Sequence, residues 1–156
     1  KKEKEGNIMN TEKRLEEFNK KYAPLSIMDS EETGFTLCLT QNDLSWHEEA
    51  FDLYGEKSGD PKYDIYGLKN HGNGYEWDAA FREAFIKEPA LKLVSFDSEA
   101  GGFYCTCTDL SVLIDFAQRF YEICKDTERF VELISDGVER DHKFPYMHGK
   151  DYHLFF

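Results

Sequence analysis

Basic side chains are scarce. Nineteen Lys and Arg stand against 31 Asp and Glu among 156 residues, so the formal charge is 19 − 31 = −12, and an excess of that sign argues against bare DNA or RNA as a partner. Long apolar runs are missing as well. No stretch reaches the roughly 18–20 residues that a membrane-spanning helix needs, and no signal-peptide hydrophobic segment appears. Cysteine is limited to four residues, Cys38, Cys105, Cys107 and Cys124, each set in an apolar pattern and none at the spacing of a disulfide framework. They read as core thiols, which favours a reducing, cytoplasmic setting; because the sequence begins at Lys1 and not at Met, a removed leader stays open.

Aromatic residues, in contrast, are abundant: 13 Phe, 9 Tyr and 2 Trp, far more bulky apolar surface than disordered chains carry. A chain of this length buries roughly 68–70% of its unfolded surface, enough for one core without metal or disulfide staples. We therefore expect a single domain over residues 10–156, preceded by a flexible arm over residues 1–9 whose Lys and Glu run carries almost no apolar residue. The charge divides unevenly. Residues 1–24 hold seven basic and five acidic side chains, net +2, whereas residues 25–156 hold 12 − 26 = −14.

Periodicity supplies the elements. Leu15, Phe18 and Tyr22 form an apolar stripe on a helix from Asn10 to Tyr22, which Pro24 closes. Residues 25–28 and 35–40 read as a hairpin around the polar turn Asp29 to Gly34, with Phe35, Leu37 and Leu39 facing inward. Ser45 and Glu48 suit a capping box for a second helix that ends at Tyr54, with Gly55 as its left-handed stop. Trp77, Ala80, Phe81, Ala84 and Phe85 line a third helix before Pro89. A second hairpin, residues 92–97 and 102–108, turns through Ser98 to Gly101. Asp109 caps a strongly amphipathic helix to Cys124, and Asp126 or Thr127 caps another that Gly137 ends. The expected fold is α+β in two layers, about four antiparallel strands in two hairpins with helices against one face. The aromatic tail after Asp141 either covers the sheet or binds a ligand, with packing the more frequent role of such tails.

Chemical motifs are few. His47-Glu48-Glu49-Ala50-Phe51 begins like a zinc-protease helix but has Phe51 where the second histidine belongs. Cys105 and Cys107, with His142, His148 and His153, lack the spacing of a structural zinc site. Gly72-Asn73-Gly74 imitates half of a dinucleotide loop, yet Glu76 and Asp78 place two negative charges in the first helical turn, where a phosphate would be repelled. Asp97 and Glu99 are the one pair that could act as acid and base on a glycoside, if they stood roughly 5–9.5 Å apart. That gives the alternative of a small carbohydrate-processing or ligand-binding enzyme. No catalytic, metal or cofactor site is otherwise expected.

Two segments carry a resemblance: Gly72-Asn73-Gly74-Tyr75-Glu76-Trp77 at a helix start, and Phe96-Asp97-Ser98-Glu99-Ala100-Gly101-Gly102-Phe103 in the second hairpin. They resemble the Immunity protein 51 family of bacterial polymorphic-toxin systems, over a span from about Phe35 to Lys125. Ser98 stands where the family pattern favours proline, and Gly102 where it favours a larger apolar residue. The resemblance implies a cytoplasmic, non-enzymatic antitoxin that binds and occludes a cognate toxin domain, without cofactor, metal, nucleic acid or membrane, and it leaves the oligomeric state open. Its structural positions would be Gly72, Asn73, Gly74, Tyr75, Trp77 and Gly101. An acidic binder suits a toxin with a basic cleft, and the contacting acids are expected at strand ends and loops: Glu31, Glu32, Glu76, Asp78, Asp97 and Glu99.

Overall fold

The computed structural model describes residues 2–58 and 71–144, with side chains from Asn10 onward. Helix α1 spans Lys2–Lys21 and so takes in most of the segment expected to be a flexible arm. Lys and Glu are strong helix formers, so helical propensity is not confined to the residues after Asn10. Its stripe behaves as expected, with Phe18 and Tyr22 buried and Leu15 packed beside them.

Four antiparallel strands follow in the order β1-β2-β4-β3. Strands β1 (Ser26–Asp29) and β2 (Phe35–Leu39) form the first hairpin, and β2 also pairs with β4 (Phe103–Cys107), Leu37 opposite Cys105 and Leu39 opposite Phe103. Opposed residues share a face, so Ile27, Leu37, Leu39, Phe103 and Cys105 form one continuous buried surface. Asn19 protects the outer edge, since its side chain accepts from the Ile27 N–H at 2.7 Å and donates to the Ile27 carbonyl at 3.0 Å, as a neighbouring strand would.

Strand β3 is only Ser95–Phe96, not residues 92–97. Pro89 presets the backbone dihedral of a helical first turn, and Pro89–Leu93 accordingly forms a 3₁₀ turn. Helix α2 is also displaced from its expected bounds. Gln41–His47 is 3₁₀, and α2 runs over Glu48–Ser58, so neither does Ser45 cap it nor does Gly55 end it. Gly55 instead makes room for His71, whose ring carbon would lie 2.7 Å from an added Cβ.

Helices α3 (Gly74–Phe85) and α4 (Leu110–Cys124) bring Phe81 and Phe120 onto Phe103 of the sheet, at ring separations of 5.4 and 6.4 Å. Trp46 stacks between Trp77 and Tyr121 at 5.7 and 5.6 Å, and the Trp77 indole N–H donates to the Leu44 carbonyl at 3.1 Å. Asp126 caps α5 (Thr127–Lys143), which continues through Gly137. An added Cβ there would stand 2.4 Å from the Ala79 carbonyl oxygen, so this glycine serves a close crossing of α5 over α3 and ends nothing. The fold is thus α+β, an antiparallel four-stranded sheet with helices packed on it. All four cysteines are buried and free. Burial pushes the Cys105 and Cys124 thiols well above their ordinary range, which keeps them protonated core side chains. No helix among the described residues is long and apolar enough to cross a membrane. The tail from residue 145 onward, with His148 and His153, lies outside the described residues.

Candidate functional site

The start of α3 is built by reciprocal capping. Asn73 Oδ1 accepts from the Glu76 N–H at 3.0 Å, while Glu76 Oε1 accepts from the Gly72 N–H at 2.7 Å and Oε2 lies 3.0 Å from His71 Nδ1. Backbone donors on both sides of the N-cap are thereby satisfied. Glu76 is consumed by this role and buried, and it is not the exposed contact residue that its sequence position suggested.

The second hairpin closes against the same turn. Glu99 and Gly102 exchange backbone hydrogen bonds of 2.9 and 3.1 Å across the tip, and the Gly74 N–H donates to the Ala100 carbonyl at 3.0 Å. A Cβ on Gly74 would lie 1.9 Å from the Glu99 carbonyl oxygen and 2.1 Å from that of Gly102. Backbone thus meets backbone where only glycine fits. Gly101 has nothing within 4 Å of a notional Cβ, so the close packing falls on Gly74 and on Gly102, where an added Cβ would stand 2.4 Å from the Tyr104 ring.

Beneath this junction lies a buried ion cluster. Helix α3 is enclosed on nearly every side from Glu76 to Arg82, so any charge it carries there must be paired. Arg82, 1% exposed, donates through Nε to Asp78 one turn earlier, and through both terminal nitrogens to Asp141 of α5 at 2.8 and 2.7 Å. The Ser98 hydroxyl donates to Asp78 Oδ2 at 2.5 Å and accepts from the Tyr104 N–H at 3.0 Å, two bonds that a proline at this position would lack. Burial raises the Asp78 carboxyl above its ordinary pKa, against the opposing pull of Arg82 and Ser98. Burial also opposes the Arg82 charge, but hydrogen bonds to Asp141 and the two nearby carboxylates outweigh it and hold the guanidinium above its usual range. Asp78, like Glu76, is buried architecture and not an exposed acid.

These pieces surround a pocket of about 650 Å³ between the start of α3, the hairpin and the last turns of α5. Arg82, Asp78 and Asp141 lie at its base, Phe96 and Val138 supply apolar wall, and Tyr75, Asp97 and His142 stand at the rim. Tyr75 is half exposed, and Asp97 and Glu99 are exposed. Of the six acids expected to contact a partner, only Asp97 and Glu99 are exposed at this junction. Glu31 and Glu32 are exposed in the β1–β2 turn, where Gly34 packs against Cys107 and Thr108, at the opposite end of β4. Arg82 and Asp141 were not singled out from sequence. Asp78 and Arg82 do stand at i, i+4 inside an apolar helix, a local signal for a buried pair, but Asp141 is 59 residues from Arg82, too far for any local pattern. Among the described residues no three His, Cys, Asp or Glu side chains are grouped to hold a metal ion. Comparison with protein-family models, with curated proteins and with solved structures gave no match to the chain.

Proposed function

We propose that this protein is a non-catalytic antitoxin that binds a toxin domain encoded beside it, the role implied by its resemblance to the Immunity protein 51 family, and that the rim of the α3–hairpin pocket is its contact face. The observation that carries the reading is the meeting of the two segments on which the resemblance rests. Residues 72–77 and 96–103 are distant in sequence, yet Gly74 is hydrogen-bonded to Ala100, and Ser98 to Asp78. A partner-binding face benefits from such a frame, because a rigid rim loses little entropy on binding. The rim offers what interfaces favour: a half-exposed tyrosine as anchor, with exposed carboxylates around it. The chain's formal charge of −12 would steer it toward a basic cleft. The ionisable groups at the pocket base are engaged with one another and with the hairpin, and the reading assigns them no catalytic step.

Co-expression with the adjacent toxin-like reading frame tests it. The expected result is that cells survive and the two proteins copurify, and that the double substitution Tyr75→Ala with Asp97→Asn weakens both effects. Failure of the parent chain to rescue cells or to copurify would overturn the proposal.

A further inference from the structure

A −12 chain meeting a basic surface does not by itself say which partner group enters the pocket. Four carboxylates, Glu76, Asp78, Asp97 and Asp141, line it with the guanidinium of Arg82 and the imidazole of His142, a formal sum of 1 − 4 = −3 with the histidine neutral. Arg82 is turned to Asp78 and Asp141 and is 1% exposed, so its charge is directed into the protein. Asp97 differs from the other three: it is exposed at the rim, and its carboxylate has no hydrogen bond or ion pair among the described residues. Tyr75 and Phe96 bring aromatic surface to the same concavity, and Phe96 already holds a guanidinium at 5.9 Å on one side, that of Arg82. An apolar wall, an aromatic face and one available carboxylate in a net negative concavity match a planar cation on an aliphatic stem better than the compact, strongly hydrated ammonium of lysine. The volume falls within the roughly 300–1,000 Å³ typical of binding sites, room for a side chain with the backbone that presents it.

We propose that this pocket seats one arginine side chain of the partner protein, its guanidinium paired with Asp97 and lying on Tyr75. The assignment rests on the antitoxin reading for the source of the arginine, and on the pocket alone for the chemistry.

The test is an amide-resolved NMR titration of the intact chain with N-acetyl-arginine amide, with N-acetyl-citrulline amide as its uncharged counterpart. The arginine probe should shift the Tyr75, Asp97 and Ser98 signals, the citrulline probe should not, and Asp97→Asn should weaken the arginine effect about five-fold, the worth of one partly exposed charge pair. Asp97 is exposed, so this variant should fold, and unchanged signals elsewhere would verify that. Equal shifts by citrulline, or indifference to Asp97→Asn, would overturn the assignment. Addition of the neighbour-encoded toxin domain should displace the arginine probe; if both bind together, the arginine does not come from that partner and the assignment fails. Rescue of cells without any arginine-probe shift would remove this inference alone. A specific shift without rescue would remove the antitoxin reading and leave the guanidinium seat standing.

Discussion

The turn between β1 and β2 and the junction of α3 with the second hairpin stand at opposite ends of β4, and both are rich in acids. In the first, Glu31 and Glu32 project into solvent, and the turn is held by its own local bonds, such as the Glu31 N–H on Asp29 at 2.9 Å. In the second, Glu76, Asp78 and Asp141 are buried and bonded to a helix start, a hairpin serine and an arginine. Equal charge therefore does unequal work. Acids of the turn add to the field around the molecule, whereas those of the junction fix the geometry of a pocket and leave Asp97 and Glu99 exposed beside it.

The largest difference should come from Arg82→Met, which leaves Asp78 and Asp141 buried without their cation. Urea unfolding should show a loss of about 3–5 kcal/mol, and a loss below 1 kcal/mol would mean the cluster does not hold α3 to α5. Next comes Gly74→Ala, which drives a Cβ into backbone and should cost about 1–3 kcal/mol, while Gly101→Ala, in open space, should stay within about 0.5 kcal/mol. Equal effects at the two glycines would erase the distinction between the packed and the open parts of the junction.

A pH series sharpens the contrast further. The Asp78 carboxyl is raised above its ordinary 3.8, chiefly by burial, so the folded state binds this proton more tightly than the unfolded one. Its contribution to stability is complete below the unfolded value and is lost as pH rises through the raised folded value. Asp78→Asn lacks this titration and should gain on the parent chain, in urea unfolding, as pH rises from about 4 to about 8; a gap that is constant or moves the other way would contradict the burial argument. The smallest effect belongs to the turn: Glu31→Gln with Glu32→Gln should change stability by no more than about 0.5 kcal/mol.

These contrasts show what the amino-acid pattern conveys and what it withholds. Helix α4 with its Asp109 cap and the start of α5 at Asp126 follow from local spacing, because each depends on residues within a few turns of one another. The first hairpin follows as well, since alternation and turn chemistry sit in one short segment. Gly55 and Gly137 mislead for a physical reason: a glycine within a helical pattern can mean a stop or a close neighbour, and the neighbours here, His71 and Ala79, come from other elements. Glu76 and Asp78 mislead likewise, because whether an acid is exposed depends on what packs over it, and Ser98, Arg82 and Asp141 arrive from three places in the chain. The two hairpin acids, Asp97 and Glu99, remain where the sequence places them.

Under the proposed antitoxin role, calorimetric titration of a neighbour-encoded toxin domain into three proteins separates the two acidic regions most directly: the parent chain, the Tyr75→Ala/Asp97→Asn variant and the Glu31→Gln/Glu32→Gln variant. If the pocket rim is the contact face, the first variant should bind at least about tenfold more weakly and the second almost as the parent does. Undiminished binding by the rim variant, or a loss confined to the turn variant, would contradict the account.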